Sequence, residues 1–566
     1  MPAAHSSLGA SSKYVRLLCW AAIAWIVVFW RLGYPSLMDP DEAHYAELTR
    51  EMVRAHSWLV PLLDGHPYID KPILFHWLQA AAIWLLGPTE FAVRLPSALS
   101  ALVLCWTVRR AGIVMFGESV GEWAAVMFAT IPATFMLASL ALFDMVFTAF
   151  LFGAVVCLIE ASANGSRRRE IAGYALLSLA VMIKGPVALV LVGLFWLAAW
   201  ACGGELRARA GRLRWIAGLA GAAAVASPWF VWMFAHFGDA FVQDYLLAGN
   251  LYYFTQPEAW SARAISHVFY LRSFVGGFFP WSAVALAGLV ESVRRRVLPA
   301  ADERLLWIWS AVVIGFFSLA RFKLDHYIFP AAPAICLLAA KAWHDAALAP
   351  RGAWRIVHAV GLGLGGLLVV AGTFASVYLF ELNLELPATA ILLPVALAAG
   401  GVGLLIRAAH SGWRMPARPF ALAAGLLAID AVIVGVGLPT LDHAHPTALV
   451  AQKLRDHTPS EAPAAIYQLE QWRASLRYYA ERPLTGLSGT GQIRAFFGAS
   501  DTPRYAIMVR RDYLALRAAG VRIHEVFRSP AVVGTTRMSG GLRRQQWDDL
   551  LVVTNAPRQR FPAWLP

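Results

Sequence analysis

Residues 73–86 read ILFHWLQAAAIWLL, an apolar run broken by His76 and Gln79. A membrane-spanning helix needs roughly 20 mainly apolar residues, so this run is short for a crossing and is read as a helix lying in the membrane interface. Runs long enough to span, or nearly so, begin at Leu17, Leu95, Glu122, Asp144, Ile171, Pro186, Trp215, Arg272, Leu305, Tyr327, Trp354, Pro387 and Pro419. They predict about thirteen helices by that length rule. Basic residues gather in cytoplasmic loops. Here the groups are Lys13 and Arg16, Arg109 and Arg110, Arg167 with Arg168 and Arg169, the 207–214 cluster, Arg294 with Arg295 and Arg296, Arg351 and Arg355, and Arg414 and Arg418. They occupy every second loop provided that 73–86 stays on the surface. The N-terminus is then inside, and the tail beyond Leu438 is outside.

Composition agrees with a membrane chain. Of 566 residues 59% are hydrophobic and 15% charged, with a mean hydropathy of +0.56, far from the usage of a soluble domain. Glycines in Ala- and Leu-rich runs suit closely packed helices. The net charge of +13 is accounted for by cytoplasmic anchoring, so no nucleic-acid partner is expected. Cys19, Cys105, Cys157, Cys202 and Cys336 sit in apolar runs without metal spacing, and no disulfide framework is implied. The first apolar run has no small-residue cleavage site after it and is read as a retained span. The chain therefore reads as a polytopic α-helical membrane domain over 1–440, with juxtamembrane helices in a first outer loop of 33–94. An extracytoplasmic α/β domain follows over 441–566. In that tail AAIYQL, YAIMVR, VRIHEVF and LLVVTN read as strands, and 447–457, 471–482 and 512–519 as helices.

With this topology the polar outliers fall on one face. Asp39, Asp41, Glu42, Asp70 and Lys71 lie in the first outer loop, Asp144 in the second, Lys184 in the third, 239–267 in the fourth, and Arg321, Lys323, Asp325, His326 and Tyr327 in the fifth. Local readings compete with a shared site. Asp39-Pro40-Asp41-Glu42 has the form of a helix start, with Asp39 as N-cap and Glu42 reaching back as in a capping box; that leaves Asp41 unexplained. Lys184 and Lys323 can snorkel to headgroups, and Asp144 can be an N-cap. Against this, Arg321, Lys323, His326 and Tyr327 form a tight group of donors suited to a phosphate. An ionisable group opening a span, as Asp144 does, is a functional candidate.

DPDEAHYAELTREM, YIDKP, the Asp144 helix start, MIKG, SPWF, NLYYFTQP, FFPWS and FKLDHYIFPAAPA follow one another between residue 14 and about 345. In this order they resemble the bacterial branch of the protein mannosyltransferase-related superfamily, most closely the lipid A aminoarabinose transferases. The resemblance implies a GT-C glycosyltransferase that takes a sugar from a polyprenyl phosphate carrier on the outer face of the inner membrane and passes it to lipid A. It places the family's catalytic carboxylate on Asp41 and its later helix-opening aspartate on Asp144. The family's lysines fall on Lys71, Lys184 and Lys323, and its tyrosine on Tyr327. Arg321 and His326 join the phosphate-handling set, with Asp39, Glu42, His44 and Tyr45 as secondary candidates. The chain departs from the family's P-D-E-T-R-Y and K-L-P-T-Y patterns at His44 and at Asp325-His326, which touches the choice of sugar and acceptor.

Lysines and a tyrosine hydroxyl on the carrier phosphate would stabilise the leaving anion. Asp41 would orient the acceptor or take its proton. No obligatory cofactor is expected. Asp39, Asp41, Glu42 and His44 are the alternative set for a divalent cation, and a monomer among membrane lipids is the expected state. Transfer to protein Ser/Thr or to another glycan is the alternative activity. A flippase is disfavoured, because transporters place their charges near the midplane between internal repeats, and here charges gather at span ends.

Overall fold

The computed structural model describes residues 25–30, 32–255, 268–348, 363, 365–366, 368–372, 391–410, 420–439, 442, 445–498, 502–537 and 543–556. The starts of the runs expected from Leu17 and Trp354, and residues 256–267, lie outside them. Among the described residues Glu90–Phe116, Phe143–Asn164 and Trp215–Phe237 are single helices long and apolar enough to cross a membrane. Two further runs pass that test only as bent pairs. Glu118–Ala129 and Pro132–Ala138 meet at 64°, and Phe269–Gly277 and Trp281–Arg295 at 106°. Each break carries a proline, Pro132 or Pro280, whose missing N–H and ring geometry end a helix and start another. The straight spans expected from Glu122 and Arg272 are corrected to these bent pairs.

The 73–86 run forms the helix Leu74–Leu86, about 20 Å long at 1.5 Å per residue, which is short of a bilayer core of about 30 Å. Its two polar residues face protein: His76 and Gln79 are buried. The Thr49 hydroxyl lies 2.7 Å from His76 Nδ1 and donates to Gln79 Oε1 at 2.7 Å, while Gln79 Nε2 donates to the Val93 carbonyl at 3.0 Å. This network ties together three helices, Asp41–Arg54, Leu74–Leu86 and Glu90–Phe116, because each buried polar atom needs a partner.

Helix ends follow local chemistry. Thr89 accepts from Ala92 N and caps Glu90–Phe116; Ser166 accepts from Arg169 N and caps Arg167–Lys184. The latter helix stops at Gly185, whose φ of 78° lies in the left-handed region that glycine enters without penalty.

In the tail five strands lie in the order Thr485–Leu487, Ala464–Tyr467, Tyr505–Val509, Arg543–Thr554, His524–Arg537. The first three are mutually parallel and the last two antiparallel. Side chains alternate between faces. Ala465, Tyr467, Ala506, Met508, Leu551 and Val553 share one core with Ile493, Phe497, Tyr513 and Leu516 of the sheet's own helices. Ile466, Ile507, Val509, Leu550 and Val552 face the other way, into a core that also contains Leu37, Ala43, Ala46, Ile83 and Val93. The sheet is thereby seated on the 33–94 segment, against the helix that begins at Asp41.

Candidate active site

The Asp41–Arg54 helix opens with Pro40 in the cap position and no side-chain cap, which corrects the reading of Asp39 as its N-cap. Asp39 is turned the other way. It accepts from the backbone N of Ser475 at 3.0 Å and from the Ser475 hydroxyl, so it caps the tail helix Arg473–Ala480 instead. Glu42 is equally committed. Its carboxylate pairs with Arg94 through Nε at 2.7 Å and Nη2 at 3.0 Å, and accepts from Ala141 N and Met38 N, both at 2.9 Å. Arg94 is 1% exposed, and its Nη1 donates to the Leu32 and Pro35 carbonyls. A buried guanidinium is tolerated only with such partners. Two of the four secondary candidates, Asp39 and Glu42, are therefore structural. The alternative cation set Asp39, Asp41, Glu42 and His44 is split between separate partners, and among the described residues no group of three or more His, Cys, Asp or Glu is arranged to hold a metal.

Asp41 differs from its neighbours. Among the described residues no ion pair or hydrogen bond occupies its carboxylate. Burial pushes its pKa above the ordinary 3.8, with Asp144 adding to the rise and His326 and Lys71 opposing it. Those opposing charges come from segments far apart in the chain. Asp144 Oδ1 accepts from Lys184 Nζ at 2.6 Å and its Oδ2 lies 3.5 Å from His326 Nε2. Lys184 also sits over the Tyr327 ring at 5.0 Å and the Phe147 ring at 5.5 Å. This corrects both local readings: Lys184 does not snorkel, and Asp144 is not a cap, since Leu142 holds the cap position. Lys71 pairs with Asp70 Oδ1 at 2.9 Å. Tyr45 packs edge-on to Phe143 at 4.6 Å and its hydroxyl feels Asp70, Asp41 and Tyr327. Asp41, Lys71, Asp144, Lys184, His326, Tyr327 and Tyr45 thus form one cluster.

The remaining candidates sit at its margin. Lys323 is 7% exposed; its ammonium donates to the Ala320 carbonyl, and burial lowers its pKa, so it does not snorkel either. Arg321 is exposed. Asp325 turns away from His326, accepting from the Ser273 hydroxyl at 2.5 Å beside Arg272. The His44 ring packs on Tyr68 at 4.8 Å, its Nε2 is buried without a hydrogen-bond partner, and burial lowers its pKa.

The model of the dolichyl-phosphate-mannose-protein mannosyltransferase family matches residues 70–232, a stretch that holds Lys71, Asp144 and Lys184. An undecaprenyl phosphate-alpha-4-amino-4-deoxy-L-arabinose arabinosyl transferase of Erwinia tasmaniensis is 30% identical over 54% of this chain and 55% of its own length. One from Yersinia enterocolitica is 28% identical over 63% of this chain and 68% of its own. The matched stretch thus spans about half the length of the first of these relatives (55%). The crystal structure of ArnT from Cupriavidus metallidurans in the apo state superposes with a TM-score of 0.75 at 22% identity, covering 97% of this chain and 98% of that one. The chain has the fold of that protein, and its residues 70–232 are similar to the mannosyltransferase family. The same ArnT bound to undecaprenyl phosphate gives a TM-score of 0.73 at 22% identity, with 96% and 99% covered.

Within this fold two residues escaped the sequence reading. Arg94 was hidden because the apolar run was counted from Leu95, whereas the helix starts at Glu90; an arginine inside a long apolar helix was the available signal. Tyr245, within the 239–267 segment, was not singled out. Its side chain is 1% exposed. A Cβ on Gly185 would come within 2.0 Å of its hydroxyl and 3.9 Å of Pro72. Tyr245 is therefore wedged between the Lys71-Pro72 and Lys184-Gly185 motifs. Gly185→Ala is expected to displace this wedge and to lower the melting temperature. Adding Tyr245→Phe, which removes the colliding oxygen, is expected to restore part of the loss; thermal melting of the detergent-solubilised variants measures both effects.

Proposed function

We propose that the chain is a polyprenyl-phosphate-sugar-dependent glycosyltransferase. It moves an aminoarabinose-like sugar from undecaprenyl phosphate to a lipid A phosphate or a related envelope lipid. The observation that carries this reading is the convergence of a half-buried, unoccupied carboxylate, Asp41, with Lys71, Lys184 and His326 from separate segments. The names of the relatives, and a carrier lipid bound to a protein of the same fold, support the donor. About thirteen spans, an inner-membrane location, a cytoplasmic N-terminus, a periplasmic tail and a monomeric state belong to the same proposal.

In this mechanism Lys71, Lys184 and Tyr327, with Lys323 and Arg321 at the entrance, hold the carrier phosphate. The bond between sugar C1 and the phosphate oxygen breaks, the acceptor oxygen bonds to C1, and the carrier leaves as an anion that the cations stabilise. Asp144 is saturated by Lys184 and His326, so its work is to hold those groups in place. Asp41, unoccupied, meets the acceptor. A phosphate acceptor is already anionic at neutral pH, its second pKa being near about 6, and Asp41 then orients it. A hydroxyl acceptor loses its proton to Asp41.

The working form of Asp41 is ionised in either case. Its pKa is raised in the folded protein, so transfer is lost as pH falls, and the loss begins above the ordinary carboxylate range. An initial-rate profile from pH 7.5 downward is expected to show this acid limb. The founding test is mass spectrometry of lipid A and total envelope lipids from cells with the wild type, with Asp41→Ala and without the protein. A sugar-sized mass on lipid A that is present only with the wild type supports the reading. Unchanged lipid A with a changed glycan or protein points to the alternative acceptors, where the departures at His44 and His326 become the first places to look.

A further inference from the structure

The tail domain contains no part of the charged cluster, yet it grips the element that carries Asp41 at both ends. At the start, Asp39 accepts from Ser475 N and the Ser475 hydroxyl. Leu37 N donates to the Tyr479 hydroxyl at 2.7 Å, and that hydroxyl donates to Glu90 Oε1 at 2.9 Å. At the far end, Glu51 of the Asp41–Arg54 helix accepts from Asp64 N and Gly65 N, both at 3.1 Å. Asp64 in turn pairs with Arg477 at 2.6 Å. In between, Arg50 lies over the Tyr478 ring at 5.9 Å, and Tyr478 donates to the Pro88 carbonyl at 2.8 Å. Ser475, Tyr478, Tyr479 and Arg477 all belong to one tail helix, Arg473–Ala480.

Resting on the glycosyltransferase reading, we infer that this tail helix sets the position of Asp41, with Ser475 and Tyr479 as positioning residues that act through Asp39 and Leu37. The physical ground is reach. Asp39 stands two residues before Asp41, Pro40 between them provides no side-chain cap, and the helix's own Glu42 reaches back to Met38 N alone. The aim of the first turn is therefore set by what holds residues 37–39, and Ser475 is fully buried while it does so. A reacting group misplaced by about 1 Å costs up to about 10²-fold in rate, whereas carrier binding to Lys71 and Lys184 does not pass through this contact.

The test uses the full chain. For Ser475→Ala and Asp39→Ala, kcat per folded molecule is expected to fall roughly 10- to 100-fold, with the donor KM and undecaprenyl phosphate binding within about twofold of wild type. Asp39→Asn keeps one oxygen to accept from Ser475 N, and its NH2 can donate to the Ser475 hydroxyl oxygen, so it is expected to restore most of the rate. The double variant Asp39→Ala, Ser475→Ala is expected to be no slower than either single one, since both break one interaction. Tyr479→Phe, which removes the acceptor of Leu37 N, carries the same kcat expectation should Ser475→Ala fail to fold. A wild-type kcat in the folded single variants overturns the inference, as does a loss that only tracks the folded fraction. An inactive wild type overturns the glycosyltransferase reading and this inference together, whereas an active wild type beside unaffected variants overturns this inference alone.

Discussion

With asparagine in place of Asp41, sugar transfer is expected to fall about 10²- to 10⁴-fold, the range a positioned acid or base contributes, while the protein folds and still binds the carrier. Asparagine keeps the size and removes the charge. Nothing among the described residues pairs with that carboxylate, so its removal leaves no buried cation stranded. Burial already works against its ionised form, so the neutral amide is if anything easier to accommodate. Purified variant and wild type, compared at saturating donor by product mass and by thermal melting in detergent, give the result directly. An unchanged rate with an unchanged melt would remove Asp41 from the mechanism.

The adjacent carboxylate is expected to behave in the opposite way. Glu42→Ala strands Arg94, which is 1% exposed in the midst of apolar helices. It also removes the acceptor of the Ala141 and Met38 amides. Breaking one side of a buried ion pair costs about 3–5 kcal/mol, a large share of a total stability of about 5–15 kcal/mol. The expected outcome is little folded protein on size exclusion and a much lower melting temperature. Where folded molecules are recovered, their turnover is expected to exceed that of Asp41→Asn. Arg94→Ala should reproduce the defect, because it leaves the Glu42 charge buried and unpaired.

This contrast shows where sequence reasoning reached and where it stopped. Residue types and motif order brought Asp41, Lys71, Asp144, Lys184, His326 and Tyr327 into view, and the structure gathers those six. Pattern alone could not say which acids of Asp39-Pro40-Asp41-Glu42 are taken. The partners of Asp39 and Glu42 are Ser475 and Arg94, at sequence distances that no local rule spans. The capping reading failed at Asp39 for that reason, its carboxylate going to Ser475, whereas Glu42 still reaches back to Met38 N. Helix breaks at Pro132 and Pro280 were missed because hydropathy sums through a proline that geometry does not ignore. In the tail, strands with both faces covered read as continuous apolar runs, which made 464–467 and 505–509 visible. The short strand Thr485–Leu487 and the helix Thr490–Gly498 carry too little apolar pattern to stand out.

The bond between Asp39 and Ser475 joins positions 436 residues apart. Contacts of such separation form late, after the intervening chain has been laid down and its loop closed. A nascent chain with its membrane helices already inserted would hold the carrier's lysines but still lack the clamp on its first outer helix. Activity would then switch on only once the tail helix has been made and has docked, so that copies lacking it stay silent.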